Sequence, residues 1–202
     1  AGGNGRASNG QIVGAAPEAE FIIVKLGQPD TEGFVRNVEI MLAVKYVIEQ
    51  ATALGRPVAL NLSLGMNTGP HDGNALLEQF LSDSSTLWKN NIIVGSGNEG
   101  DARNHTQGRA IQGEVTRFQF QIGPDTVSYN LSIWYNPIDS ITFRIINPSG
   151  RSTPLITYAG GPQEYNLLGS KVYTAFGGPS PLSSDLEFAI YISATGEVPI
   201  TT

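Results

Sequence analysis

The 202 residues are enough for one large domain or two small ones, and 40% hydrophobic with 15% charged content is typical of folded rather than disordered chains. The net charge of −6 divides equally between residues 1–98 and 99–202, so neither half offers a basic surface for nucleic acid or an anionic membrane. The absence of cysteine excludes disulfides, thiolate metal sites and a cysteine nucleophile, and no apolar run approaches the ~20 residues of a membrane span.

The first half has the pattern of an α/β domain. Three short, continuous apolar runs at residues 21–24, 58–62 and 91–95 predict parallel strands that are buried on both faces. Residues 35–54 predict a helix that ends at Gly55. The apolar residues that recur at helical spacing on one face of it are Ile40, Met41, Val44, Val47, Ile48 and Ala51.

A second helix is predicted between the second and third apolar runs. Asp72 or Asn74 could cap its first turn. Its apolar stripe consists of Leu76, Leu77, Phe80, Leu81 and Trp88. Strands that alternate with helices favour right-handed crossovers and a three-layer α/β/α sandwich.

Residues 113–195 have a different period. Apolar and polar residues alternate at 118–122, 127–133, 141–145 and 186–192, and turn-forming residues separate these segments. Alternation with one polar face predicts antiparallel strands that are half exposed to water. The second half is therefore predicted to be a β-sandwich or jelly roll of about six or seven strands. The polar stretch before it suggests two domains, 1–108 and 109–202.

Three segments of the α/β half resemble motifs of the subtilisin-like serine proteases, the subtilases. Residues 13–20, running into Lys25-Leu26-Gly27, resemble "GVAPxAxL…VKVL". Residues 60–65 resemble "VINMSLG", and residues 93–100 resemble "VVVAAAGNEG". Each motif alone is weak, but all three occur in the family's order over residues 1–100. The resemblance implies part of a subtilisin-like parallel sheet with helices on both faces.

The resemblance implies that Asn98 is the oxyanion-hole residue. Peptide hydrolysis by a serine passes through a tetrahedral oxyanion, and a fixed amide donor stabilises that charge. Asn98 lies between two glycines after a predicted buried strand, where the backbone can turn tightly and present the amide at the edge of the sheet.

The resemblance also implies a substrate cleft around Asn98. The segment Ser63-Leu64-Gly65 would form one wall of the specificity pocket and pair with substrate backbone. The segment Gly95-Ser96-Gly97 would form the opposite wall, and Glu32 and Gly33 would contact the substrate further upstream. Small residues suit places where another backbone must approach closely.

The catalytic triad itself is missing from the sequence. No "DTG", "HGTH" or "GTSMAAP" motif occurs, and the two histidines, His71 and His105, are predicted to be exposed loop residues. In the family the His motif ends shortly before a segment like residues 1–5, and the Ser motif follows "GNEG". We therefore expect a central fragment, inactive by itself, of a protease whose Asp, His and Ser lie outside it.

A β domain between the oxyanion asparagine and the serine is similar to the Csp-type germination proteases of spore-forming clostridia, which carry a jelly-roll insertion there. This resemblance implies a peptide or protein substrate and a secreted, spore-associated or envelope-associated protein. No cofactor or metal is expected. A fragment cut in this way should expose sheet edges and self-associate.

Two other hypotheses remain open at the level of sequence. The chain could be a fragment of a pseudoprotease with a signalling or scaffold role. It could also be a stand-alone β-sandwich module that binds glycan or protein, in which case Trp134-Tyr135 is the one local aromatic candidate.

Overall fold

The computed structural model describes residues 2–27, 35–65, 67–87, 89–167, 169–195 and 200. The chain divides into two compact units, of which the first comprises Ala1–Leu62 with Phe80–Val94 and the second comprises Ser63–Gln79 with Gly95–Thr202. The predicted domain boundary after residue 108 stays a prediction. Across the described parts of the chain, no helix combines the length and the apolarity that a membrane crossing requires.

Helix α1 spans Asn37–Ala53 and confirms the first predicted helix. Its buried face consists of Ile40, Val44, Val47 and Ala51, and it packs against the first strand of the parallel sheet. At its start the Glu39 carboxylate accepts hydrogen bonds from the backbone and the guanidinium of Arg36. At its end Gly55 has φ +66°, which closes the last turn in a conformation that favours glycine.

Strands β1, Val58–Leu62, and β2, Asn90–Val94, pair in parallel and confirm two of the three predicted strands. Leu60 and Leu62 on β1 are buried, but Ile93 and Val94 on β2 are 45% and 54% exposed. The prediction that these strands are buried on both faces is therefore wrong for β2. The apolar side chains of β2 instead form a surface that the described residues leave partly exposed.

Residues 21–24 do not form the remaining predicted strand, which is the first in chain order. A strand requires a hydrogen-bonded neighbour, and only β1 and β2 pair in the parallel sheet of the described residues. The Phe21 ring instead lies against Gly2, where any Cβ would collide with it. Ile23 is 86% exposed.

Helix α2 spans Leu76–Thr86 and confirms the second predicted helix, and the residue directly before it is Ala75 rather than Asp72 or Asn74. The Asp72 carboxylate accepts hydrogen bonds from the backbone and side-chain amides of Asn74, at 2.9 Å each. The helix begins after Ala75, whose backbone N–H donates to the Glu78 carboxylate at 3.0 Å. Asn74 Oδ1 also accepts a hydrogen bond from Gln79 Nε2, on the first turn of the helix, at 3.1 Å. Asp72 and Asn74 therefore order the approach to the helix, and Asn74 also contacts its first turn. Trp88 lies outside the described residues.

Four antiparallel strands form the sheet of the second unit, in the spatial order β3-β6-β5-β4. They are β3 Ser128–Tyr135, β4 Gln163–Leu167, β5 Ser170–Gly177 and β6 Leu186–Ala194. Burial alternates along β5 and β6, so Val172, Phe188 and Ile190 are buried while Tyr173 and Tyr191 are exposed. The predicted alternation at 186–192 is confirmed.

Two of the other predicted alternating segments form no regular strand. Residues 118–122 form no ladder. Phe120 stacks on Tyr129, and Ile122 is buried in the hydrophobic core. Residues 141–145 contribute only an isolated bridge, Phe143 with Ile156. The described residues thus contain a parallel pair and one four-stranded antiparallel sheet, and the sandwich or jelly roll stays a prediction.

Candidate functional site

The predicted cleft segments begin at two adjacent strand ends. Leu62 at the end of β1 and Val94 at the end of β2 are register partners, and neighbouring strands lie about 4.8 Å apart. Ser63 and Gly95 therefore leave the sheet side by side at the carboxyl ends of its strands, where open α/β sheets bind ligands.

Asn98 lies on the second of these segments and is exposed. Its backbone N–H donates a hydrogen bond to Glu99 Oε2 at 2.9 Å. Its side-chain amide has no hydrogen-bond partner among the residues that the structure describes, so its N–H groups are available to an incoming oxygen. The neutral amide is the kind of donor that an oxyanion needs.

Gly97 suits this arrangement because of its backbone conformation. Its φ of +91° lies in the region that favours glycine. A Cβ built on it would lie 3.0 Å from Glu99 Oε2, so the flexible end of the Glu99 side chain would have to shift slightly. The glycine before Asn98 therefore sets the direction in which the asparagine leaves the strand end.

The predicted walls of the cleft are open to solvent. Ser63 and Gly65 are exposed and Leu64 is half-buried. Apart from its chain neighbours, no described residue lies within 4 Å of a Cβ built on Gly65, which leaves room for a second backbone. Gly95 and Ser96 are exposed as well. The other two predicted substrate-binding residues, Glu32 and Gly33, lie outside the described residues.

The two histidines contact each other, which no sequence pattern indicated. Both are exposed, as predicted, and their rings meet edge to face with centroids 5.0 Å apart. His71 has φ +57°, a conformation that is uncommon for non-glycine residues but that histidine adopts more often than most. Beside it, hydrogen bonds from the Asn74 side chain and then its backbone lower the pKa of Asp72, so this carboxylate is ionised at neutral pH.

The arrangement can donate hydrogen bonds to an anionic oxygen. Within the described residues, no three His, Cys, Asp or Glu side chains are grouped closely enough to hold a metal ion. The sequence contains two histidines and no "GTSMAAP" motif. The two histidine rings contact each other.

The fold of this chain is similar to that of the CspB protease of Clostridium perfringens. The two structures match with a TM-score of 0.81 over 94% of this chain, at 23% sequence identity. The chain shares its fold with part of a clostridial protease. The match covers 40% of that protease chain, so this chain spans less than half of it.

No protein-family model matches the sequence, and no curated protein matches it either. The likeness is thus one of three-dimensional structure, extending over both the α/β elements and the antiparallel sheet. It supports a protease-like fold and leaves the chemistry to be argued from the residues.

Proposed function

We propose that this chain is a central part of a subtilisin-like serine endopeptidase of the Csp type, in which Asn98 completes the oxyanion hole. The observation that carries the proposal is that Asn98 follows β2 with a side-chain amide that has no hydrogen-bond partner among the described residues, in a chain whose fold is similar to part of a clostridial protease. Two of the three sequence motifs, residues 60–65 and 93–100, begin on β1 and β2.

In the parent protein, a serine would attack the scissile carbonyl while a histidine takes its proton and an aspartate orients that histidine. All three lie outside this chain. Asn98 would donate a hydrogen bond to the oxygen as it becomes negative, so its contribution grows in the transition state. The adjacent Glu99 carboxylate is turned back onto the Asn98 backbone N–H, at 2.9 Å, and is held there.

The two open segments beside Asn98 would bind the substrate. Residues 63–65 continue from β1, and the exposed glycine at 65 would let the substrate backbone pair with them as an added strand. Residues 95–97 would form the facing wall, and Glu32 and Gly33 would contact the substrate upstream. Residues 109–202 would be a jelly-roll-like insertion beside this cleft, in a secreted, spore-associated or envelope-associated protein.

The test is the Asn98→Ala variant of the full-length parent protein. We expect kcat to fall about 10²- to 10³-fold, the cost of losing this donor in subtilisin, with little change in KM. Asn104→Ala, in an exposed loop, is the matched control and should leave kcat unchanged. Equal activity of both variants would refute the role of Asn98.

The pseudoprotease hypothesis predicts a different result with the same protein. An active parent reacts with a fluorophosphonate that modifies nucleophilic serines, whereas a pseudoprotease without a working triad does not. Labelling of the parent together with loss of kcat in Asn98→Ala would support the endopeptidase. Failure to label, with intact folding, would support the signalling or scaffold role.

The chain alone should be inactive and should self-associate. Both β1 and β2 have an unpaired edge in the described sheet, and apolar residues near them, such as Phe21, Ile23 and Val94, are exposed. We expect light scattering to give a mass above 21.5 kDa at high concentration. A monodisperse monomer would argue against exposed interfaces that the rest of a parent protein covers.

A further inference from the structure

A pocket with a volume of about 310 Å³ lies at one end of the antiparallel sheet, in the second unit. Tyr135 at the end of β3 and Leu186 at the start of β6 are register partners and both line it. The turn after β3 and the short 3-10 helix Tyr158–Gly160 complete its wall. Its size is at the lower end of the range for ligand pockets.

The two tyrosines of this pocket are anchored in the core by a chain of aromatic rings. Tyr135 meets Phe143 edge to face at 5.6 Å, and Tyr158 meets Phe176 in the same way at 5.6 Å. Both phenylalanines pack on Phe188, which is fully buried, at 4.1 and 4.8 Å. The phenol rings are therefore held in place before any ligand arrives, which lowers the entropic cost of binding.

The two phenols also interact with each other. Burial, and then the neighbouring phenol of Tyr158, raise the pKa of Tyr135, so its hydroxyl is neutral at physiological pH. Tyr158 is 52% exposed, so part of its ring is open to a ligand. The pocket thus presents a neutral tyrosine pair with accessible π-surface, and aromatic faces attract cations.

The pocket carries a negative charge, and no basic residue is among its described lining residues. Asp139 lines the pocket, and none of its described lining residues is Lys, Arg or His. None of the four ion pairs found among the described residues involves Asp139. The turn that carries it is fixed by hydrogen bonds from the backbone N–H groups of Ile138 and Asp139 to Asn136, at 3.0 and 3.1 Å.

We propose that this pocket binds the guanidinium group of an arginine side chain presented by a partner polypeptide. A guanidinium is planar, stacks on aromatic rings and can pair with a carboxylate through two parallel hydrogen bonds. Tyr135 and Tyr158 supply the ring surface and Asp139 supplies the carboxylate. The hydroxyl oxygens of Ser140 and Thr142, which also line the pocket, can accept hydrogen bonds from the remaining N–H groups of the guanidinium.

A neutral sugar fits the pocket less well. It would use the ring surface and the hydroxyls, but it would leave the charge of Asp139 without a partner as water is displaced. An arginine side chain satisfies both the rings and the carboxylate. This proposal is independent of the protease assignment, because every residue it uses lies in the antiparallel unit.

The test is a nuclear magnetic resonance titration of the 202-residue chain with N-acetyl-arginine methylamide. We expect saturable shifts at Tyr135, Tyr158 and Asp139. The matched neutral probe, N-acetyl-citrulline methylamide, has nearly the same shape without the charge and should bind about tenfold more weakly. Equal affinity for the two probes, or shifts that never saturate, would overturn the proposal.

Variants locate the interaction. Asp139→Asn keeps the side-chain shape and should weaken arginine binding about tenfold, whereas Asp125→Asn, in another exposed turn, should have no effect. Tyr158→Phe keeps the ring and should bind nearly as well as the parent chain, but Tyr158→Leu should not. Unchanged binding in Asp139→Asn would overturn the proposal, as would a methyl N-acetylglucosaminide that binds in place of arginine.

Discussion

The antiparallel sheet and the parallel strand pair bury their apolar residues to very different extents. On β6 of the antiparallel sheet, Phe188 is 0% and Ile190 is 5% exposed. On β2 of the parallel pair, Ile93 and Val94 are 45% and 54% exposed. An antiparallel sheet can cover one face and leave the other to solvent, whereas a parallel sheet requires layers on both faces. The antiparallel sheet therefore buries its apolar face within this chain. The parallel pair exposes apolar surface on which a further layer could pack.

The largest effect is expected from Phe188→Ala. This side chain packs on Phe143 at 4.1 Å and on Phe176 at 4.8 Å, so its removal leaves a large cavity. The free energy of unfolding of the antiparallel unit should fall by about 3–5 kcal/mol. Residue-resolved hydrogen exchange measures this, because it reports the two units separately.

Ile93→Ala on β2 is the counterpart of this substitution in the parallel pair. Because nearly half of Ile93 is exposed, its truncation should cost about 1 kcal/mol or less. A cost as large as that of Phe188→Ala would mean that the surface of β2 is covered in solution. Measured at a concentration at which light scattering gives the monomer mass, such a result would contradict the contrast between the two regions.

The next effect concerns helix α1, which has a buried and an exposed apolar face. Ile40 is 1% exposed and Leu42 is 62% exposed. Ile40→Ala should destabilise the first unit by about 2–4 kcal/mol, whereas Leu42→Ala should change its stability by about 0.5 kcal/mol or less. Urea denaturation followed by circular dichroism compares the two. Similar costs would show that the second face of α1 is also covered.

The smallest effect is a pH dependence at the start of α1. Hydrogen bonds from the side chain and then the backbone of Arg36 lower the pKa of Glu39 below 4.5. A carboxyl whose folded pKa is depressed stabilises the fold above its unfolded pKa, and this contribution disappears as the pH falls through the folded pKa. The amide protection of α1 should therefore decline as the pH falls below 4.5.

Glu39→Gln should flatten that decline, because the amide does not titrate. Arg36→Met should raise the pKa of Glu39 towards its ordinary value, whereas Arg56→Met, which alters an arginine paired with Glu20, should not. A carbon-detected titration of the Glu39 side chain checks both. An unchanged Glu39 titration in Arg36→Met would contradict the assigned cause.

Local sequence patterns were sufficient where a segment's own residues decide its structure. The helical spacing of apolar residues and Gly55 predicted α1, and the alternation along 186–192 predicted β6. Local patterns gave wrong predictions where strand formation depends on a pairing partner elsewhere in the chain. Residues 21–24 and 118–122 have the composition of strands, yet they lack ladder partners among the described residues. Apolar composition reports a tendency to be buried and does not identify the neighbour.

The candidate site was predictable in part. The resemblance of three sequence motifs to the subtilases indicated Asn98 and both flanking segments, and their role stays a prediction. The contact between His71 and His105 and the pocket between Tyr135 and Tyr158 were not predictable. These pairs are separated by 34 and 23 positions, and no short-range periodicity relates them.

The sequence by itself determined the types of its main elements, because propensity, periodicity and turn residues act over a few neighbouring positions. It also determined that an amide donor follows β2. The tertiary structure alone decided that Ile93 is exposed while Phe188 is buried, and that Asp139 and two tyrosines line one pocket with no cation among its described lining residues. Burial and charge compensation depend on what the rest of the chain places beside a residue, and that is settled only when distant segments pack together.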